Sequence, residues 1–424
     1  MAELSVVEIC AGAGGQSLGL HRAGFDHMLS LEIDPQAAAT LRHNLERIQD
    51  RSPDVRVGDV ADQGLWRPED YEGVDLLAGG VPCPPFSVAG KQLGSQDERD
   101  LFAWAVELAG RIQPRALLLE NVRGLSAPRF AGYRQAIADR LEELDYASAW
   151  RMLHANEFGV PQLRPRFVLV AMRPDSAAHF SWPTPLEDCP SVGDVLRESM
   201  GERGWRYADR WADQAVTIAP TIVGGSKKHG GADLGPTRAK RAWAQLMVDG
   251  HGVADHAPTR NDPSFRTRMP KLTNEMVARI QGWHRGGEDW EFLGRKTSTY
   301  RQIGNAFPPP VAEAIGNSIN AALNESAAAS GGLESTVHDD LYRLLKGSSK
   351  LLTMNDIVKS LGLGNDLSSI ARRLQTLSED FVLHEMETSQ GLAYGLGEFK
   401  AFRGQEDHGR HSHFADARTR ARVS

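Results

Sequence analysis

A cysteine enclosed by prolines, in Pro82-Cys83-Pro84-Pro85-Phe86-Ser87, is the first residue of the chain whose setting suggests chemistry. A deprotonated thiol is a strong nucleophile, and flanking prolines fix the backbone that presents it, so the sulfur needs little ordering when a substrate arrives. On its own the pattern equally suits a buried structural cysteine among turn prolines. A carboxylate follows in Glu120-Asn121-Val122, able to protonate or hydrogen-bond a ring nitrogen and so make the ring electrophilic toward sulfur. In Gln162-Leu163-Arg164-Pro165-Arg166 two alternate arginines project to one side of an extended segment, where they can grip a substrate oxygen, a phosphate or Glu120 itself. Each of these alone also reads as a capping carboxylate or a surface arginine pair.

A second group of residues points to a nucleoside. The turn Ala11-Gly12-Ala13-Gly14-Gly15 lets backbone approach a ligand, but Ser17 stands where a dinucleotide fingerprint would have its third glycine. Glu32, about twenty residues on, can accept both hydroxyl hydrogens of a ribose, and Asp59 follows at the next strand end. Two acids beside a glycine turn suit a nucleoside without a large negative charge. S-adenosylmethionine fits that description better than NAD or ATP.

The elements that must carry these residues alternate. Apolar strands at 6–10, 28–31, 55–57, 74–78 and 116–119 are separated by helical patterns beginning near 16 and 35 and spanning about 100–112 and 133–144. This is the rhythm of a doubly wound α/β sheet, which brings strand ends to one edge. Runs at 147–154 and 166–171, with no helix between them, predict an antiparallel hairpin at the sheet edge and hence a mixed sheet.

Composition sets the outer limits. At 424 residues and 41% hydrophobic content the chain can bury more than one core. No apolar run is long enough for a bilayer, and the acidic start Met1-Ala2-Glu3-Leu4-Ser5 leads into a strand, predicting a cytoplasmic protein. Three cysteines, Cys10, Cys83 and Cys189, do not make a disulfide framework or a metal cluster, so no metal is expected. The net charge of -7 argues against a polyanion partner, yet residues 201–310 hold 17 Lys plus Arg against 11 Asp plus Glu. That local excess reads as a footprint for nucleic acid.

In order and spacing, these pieces resemble the DNA (cytosine-5) methyltransferases of bacterial restriction-modification systems. The resemblance rests on the glycine turn, the Cys83 loop, Glu120-Asn121-Val122, Gln162 to Arg166, the run Leu272 to Trp283, and Tyr300-Arg301-Gln302-Ile303-Gly304-Asn305-Ala306. It covers about three quarters of the chain. It implies that Cys83 attacks C6 of a flipped-out cytosine, that Glu120 pairs with N3 and the exocyclic amine, and that Arg166, with Arg164, holds O2 and supports the loop. It also implies S-adenosylmethionine bound by Cys10, Gly12, Gly14, Gly15, Glu32, Ile33, Asp59, Val60, Pro82, Leu101 and Asn305. Three positions depart from the pattern: Cys10 replaces a common aromatic, Pro84 a frequent glutamine and Phe307 a frequent small aliphatic.

The resemblance further implies a catalytic domain at 1–190 plus 295–326 and a small irregular target-recognition region at 191–294. Ser87, Lys227, Lys228, Arg238, Lys240 and Arg241 become candidate contacts to double-stranded DNA. After a linker at 327–334, helical and strand patterns at 335–402 suggest a winged-helix-like domain with Arg372 and Arg373 on its recognition helix, and a tail follows at 403–424. The implied protein is a monomer on DNA that guards it against a cognate endonuclease. Methylation of tRNA cytosine and autoregulation through the C-terminal domain are the competing readings.

Overall fold

The computed structural model describes residues 4–81, 99–224, 231–287, 289–325, 332–333, 336–362 and 367–399. In chain order the first elements are β1 (Leu4–Ile9), α1 (Gly15–Arg22), β2 (Phe25–Glu32), α2 (Pro35–Gln49), β3 (Val55–Val57), β4 (Leu76–Gly80), α3 (Arg99–Ile112), β5 (Ala116–Val122), α4 (Ala131–Glu143), β6 (Ala147–His154) and β7 (Pro165–Met172). Then come α5 (Pro174–Ala177), α6 (Val192–Gly201), α7 (Ala208–Ala212), α8 (Thr237–Gln245), α9 (Asn274–Ile280), α10 (Lys296–Asn305) and α11 (Pro309–Leu323). The last are α12 (Asp340–Lys346), β8 (Leu352–Thr353), α13 (Met354–Leu361), α14 (Leu367–Asp380), β9 (Phe381–Thr388) and β10 (Gly391–Phe399).

The strands form one mixed seven-stranded sheet in the order β3-β2-β1-β4-β5-β7-β6. Its central pairs are parallel, with Ile9 opposite Leu31 and Gly79, and Gly80 opposite Glu120. The expected α/β class is therefore observed. The sheet order reverses outward from β1 and β4, and ligands of such folds bind at the carboxyl edge where that reversal occurs.

Local sequence explains why the elements start where they do. Asp34 caps α2 by accepting from the Gln36 and Ala37 amides at 2.8 and 3.3 Å, with Pro35 already preset for the first turn. Gly19 in α1 permits a close crossing with α11: a Cβ there would lie 2.5 Å from the Pro309 carbonyl and from the Ala312 methyl. Any larger residue would force the two helices apart.

The chain divides into two compact units. The first, Met1–Val81 with Ile112–Glu120 and Trp150–Leu333, holds nearly all of the sheet. Its apolar core is continuous from Leu18, Leu41 and Leu45 into the 191–294 region through Trp205, Trp211, Trp243 and Trp283. The resemblance implies a small irregular region there. Among its described residues it has four short helices, α6 to α9, anchored by buried tryptophans, with a Ser191–Asp194 capping box opening α6.

The second unit is Pro82–Arg111, Asn121–Ala149 and Glu334–Ser424. In it, α12, α13 and α14 pack beside a three-stranded sheet of order β8-β10-β9. Thr353 caps α13 through the Asp356 amide at 3.2 Å, and Gly362 ends it at φ +64°. Ala136 of α4 lies in the same apolar cluster as Leu341, Tyr342, Leu374 and Phe381, and Tyr133 of α4 meets Phe399 at a ring distance of 5.5 Å. Arg373 is paired with Asp339 at 2.9 Å and with Asp340. The expectation that Arg373 reads DNA is corrected accordingly, because its guanidinium is held by acids of α12 and its cap.

Candidate active site

At the carboxyl edge of the sheet, at its switch point, the chain turns sharply after β1. Cys10, Gly12 and Gly14 all adopt positive φ, at 52°, 59° and 95°. The Gly12 amide donates to Glu32 Oε2 at 2.8 Å and the Asp34 amide donates to Glu32 Oε1 at 2.7 Å. One carboxylate thus ties the turn after β1 to the turn after β2. Each oxygen keeps a lone pair for a ligand hydroxyl. Burial pushes the Glu32 carboxyl upward, partly countered by these backbone donors.

The neighbouring candidates sit on the same unit. Ile33 is 49% exposed, an uncovered apolar side chain directly beyond Glu32. Asp59 follows β3 and accepts from the Ala61 amide at 3.0 Å, while the carbonyl of buried Val60 accepts from Trp66 Nε1 at 2.8 Å. Asn305 ends α10, where Gly224 lies so close that a Cβ would collide with the Asn305 side chain. Leu101 is buried on α3, in the second unit. Pro82, Cys83, Ser87, Lys227 and Lys228 lie outside the described residues.

Sequence reasoning missed an aromatic wall. Trp290 Nε1 donates to the Ala13 carbonyl at 3.1 Å, and its ring fills the space that a Cβ on Gly14 would need. Trp283 lies 5.7 Å from Trp290 and 4.8 Å from Phe292, ring to ring. The clustering of Trp283, Trp290 and Phe292 in a glycine-rich stretch was the available signal.

At the chemistry end, Glu120 terminates the apolar part of β5 and Arg166 opens β7. Glu120 Oε1 and Arg166 Nε are 2.5 Å apart, and both side chains are nearly buried. Burial pushes the Glu120 carboxyl up, while the Arg166 and then Arg164 guanidinium groups draw it back. Such a pair holds a carboxyl group in fixed orientation and leaves Oε2 available.

Arg164 has a different role from the one its spacing suggested. It is 1% exposed, and its terminal nitrogens donate to the carbonyls of Ile222 (2.6 Å), Gly304 (2.8 Å) and Ala306 (2.7 Å). Its terminal donors are engaged, and Arg164 fastens β7 to the segments at 222 and 304–306. Gln162 completes the clamp by accepting from the Ile222 amide at 2.9 Å. We expect Arg164→Met to lower unfolding stability by roughly 3 kcal/mol or more, since it strands several buried carbonyls. Urea denaturation reads this directly, and an unchanged midpoint would refute the clamp.

The basic candidates separate as well. Lys240 is paired with Asp233 at 2.9 Å, which corrects its assignment as a free phosphate contact. Arg238 and Arg241 are exposed three residues apart on α8, so they share a face. Arg372 is exposed on α14.

A family model described as C-5 cytosine-specific DNA methylase matches residues 4–321, most of the chain. The chain belongs to that family. It is a DNA (cytosine-5) methyltransferase, and its family takes the methyl group from S-adenosylmethionine. Type II methyltransferase M.NaeI of Lentzea aerocolonigenes is 57% identical over 99% of this chain and 100% of its own. Type II methyltransferase M.NgoMIV of Neisseria gonorrhoeae is 47% identical over 76% of this chain and 99% of its own. A solved structure from E. coli, described as a prophage-encoded DNA modification methyltransferase, covers 76% of this chain and 99% of its own at 22% identity and a TM-score of 0.51, a likeness of fold. Among the described residues of this methyltransferase, no helix is long and apolar enough to cross a membrane, and no acid, histidine and cysteine cluster suits a metal ion.

Proposed function

We propose that this methyltransferase modifies one cytosine of a short duplex sequence through a covalent adduct at Cys83, and that the modification protects DNA from a cognate restriction endonuclease. The observation that carries the reading is the register of β4 and β5. Gly80, three residues before Cys83, pairs with Glu120, whose carboxylate is fixed by Arg166.

In this mechanism the Cys83 thiolate adds to C6 of an extruded cytosine while Glu120 delivers a proton to N3. The electron pair displaced from the C5–C6 double bond makes C5 nucleophilic, and Arg166 steadies both Glu120 and the base. S-adenosylmethionine supplies an electrophilic methyl group. Loss of the C5 proton then expels the thiolate, the N3 proton returns to Glu120, and the aromatic ring is restored, with S-adenosylhomocysteine as the other product.

The turn after β1 fits such a donor. Glu32 offers lone pairs to a ribose, exposed Ile33 offers an apolar face to a base, and Asp59 offers a carboxylate to an adenine amine. Cys10, Gly12, Gly14, Gly15, Val60, Pro82, Leu101 and Asn305 complete the proposed donor site. Arg238, Arg241, Lys227, Lys228 and Ser87 are proposed to meet DNA, most of them by positioning its phosphates. We retain the domain scheme of a catalytic part at 1–190 plus 295–326, a recognition region at 191–294 and a winged-helix-like segment at 335–402, acting as a monomer at the nucleoid.

Bisulfite sequencing of DNA from unmethylated cells expressing the protein tests the reading. One recurrent short context should become protected from deamination, and an unmethylated genome would sink it. The same DNA should resist the endonuclease in an extract of the source cells. Replacing Arg372 with Glu should leave the methylated context unchanged if the appended segment takes no part in target choice.

A further inference from the structure

Gln16, the second residue of α1, carries a buried carboxamide that the described residues leave unbonded. Its side chain is buried to 3% exposure, yet among the described residues neither Oε1 nor Nε2 has a hydrogen-bond partner. Buried amides are seldom left so, because a carboxamide offers two donors and two lone pairs that lose water on folding. The first turn of α1 is fixed by its neighbour: Ser17 donates to buried Glu8 at 2.6 Å, and Glu8 also meets His27 of β2 at 3.1 Å. Gln16 is therefore held on a rigid turn.

What the amide faces can be read from Gly80. A Cβ placed there would lie 3.6 Å from Glu120 Oε2, 3.8 Å from the Cys10 carbonyl and 4.0 Å from Gln16 Oε1. The Gln16 amide and Glu120 Oε2 thus border one space, at the ends of β1, β4 and β5. A ligand that satisfies Gln16 must offer an acceptor and a donor side by side. A zwitterionic α-amino acid group does: its carboxylate accepts from Nε2 and its ammonium donates to Oε1.

Resting on the donor site proposed above, we propose that Gln16 binds the methionyl amino-acid end of S-adenosylmethionine. It is a binding residue that recognises the part of the donor remote from the base, and it is additional to the acids that hold the nucleoside. Glu32 and Gln16 then grip opposite ends of one molecule, which fixes where the sulfonium between them comes to rest.

Calorimetric titration of the full-length protein with two ligands tests this. S-adenosylhomocysteine carries the amino-acid end, and 5′-methylthioadenosine lacks it. In Gln16→Met, which keeps side-chain volume, affinity for S-adenosylhomocysteine should fall roughly tenfold to a hundredfold, because bonds to charged groups are lost. Affinity for methylthioadenosine should change by less than about twofold. Gln16→Glu should weaken S-adenosylhomocysteine at least as much, through repulsion of its carboxylate. Equal losses for both ligands would make Gln16 a structural residue and overturn the proposal, as would unchanged binding of S-adenosylhomocysteine. A wild-type protein that bound neither ligand would instead defeat the donor site itself.

Discussion

Replacing Cys83 with serine will reduce cytosine methylation by at least about 10⁴-fold, the scale on which covalent enzymes lose rate when their nucleophile is removed. A serine hydroxyl is not ionised at neutral pH and has no base in the proposed arrangement to activate it. Without addition at C6 the C5 carbon stays too electron-poor to take a methyl group. The measurement is tritiated methyl transfer to duplex DNA by purified protein, with binding of S-adenosylhomocysteine measured beside it. Binding should persist, because the acids of the donor turn are untouched. Residual turnover near the wild-type rate would remove Cys83 from the chemistry and leave it as the structural cysteine that its prolines equally suit.

Glu120→Gln is expected to cost roughly 10²- to 10³-fold in turnover, within the range that a positioned general acid supplies. Glutamine preserves the shape and one donor, so the loss reports proton delivery to N3. Burial raises the Glu120 carboxyl above the usual glutamate range. The group is protonated below its folded pKa, so its contribution to the rate is present at lower pH and falls as pH rises through that value. The wild type should show this alkaline fall in kcat/KM, and the variant should be flat there. A variant retaining the same alkaline limb would assign the titration elsewhere. Glu120→Gln also leaves the Arg166 guanidinium without its counter-ion, so circular dichroism should accompany the kinetics to separate unfolding from lost chemistry.

Much of the site was legible because its residues stand at strand ends. Apolar runs at 6–10, 74–78 and 116–119 announce buried parallel strands, and in such a sheet the residues just past each run share one edge. Glu32, Asp59 and Glu120 follow from that rule. The role of Arg164 did not, because its partners at 222, 304 and 306 are distant in sequence and are backbone carbonyls, which carry no side-chain signature. The helices of the recognition region were hidden for a related reason. They are short and polar, and the tryptophans that anchor them leave little periodic pattern. Gln16 was also invisible as a candidate: only its burial without a partner distinguishes it from any glutamine at the start of a helix.

The apolar cluster that α4 shares with the appended segment has a consequence for descent. A Cβ on Gly132 would approach Leu377 to 2.5 Å, and Tyr133 and Ala136 also face the appendage rather than water. Losing the appendage would leave this greasy face of α4 bare and aggregation-prone, so in descent the segment acts as a ratchet, more easily kept than shed.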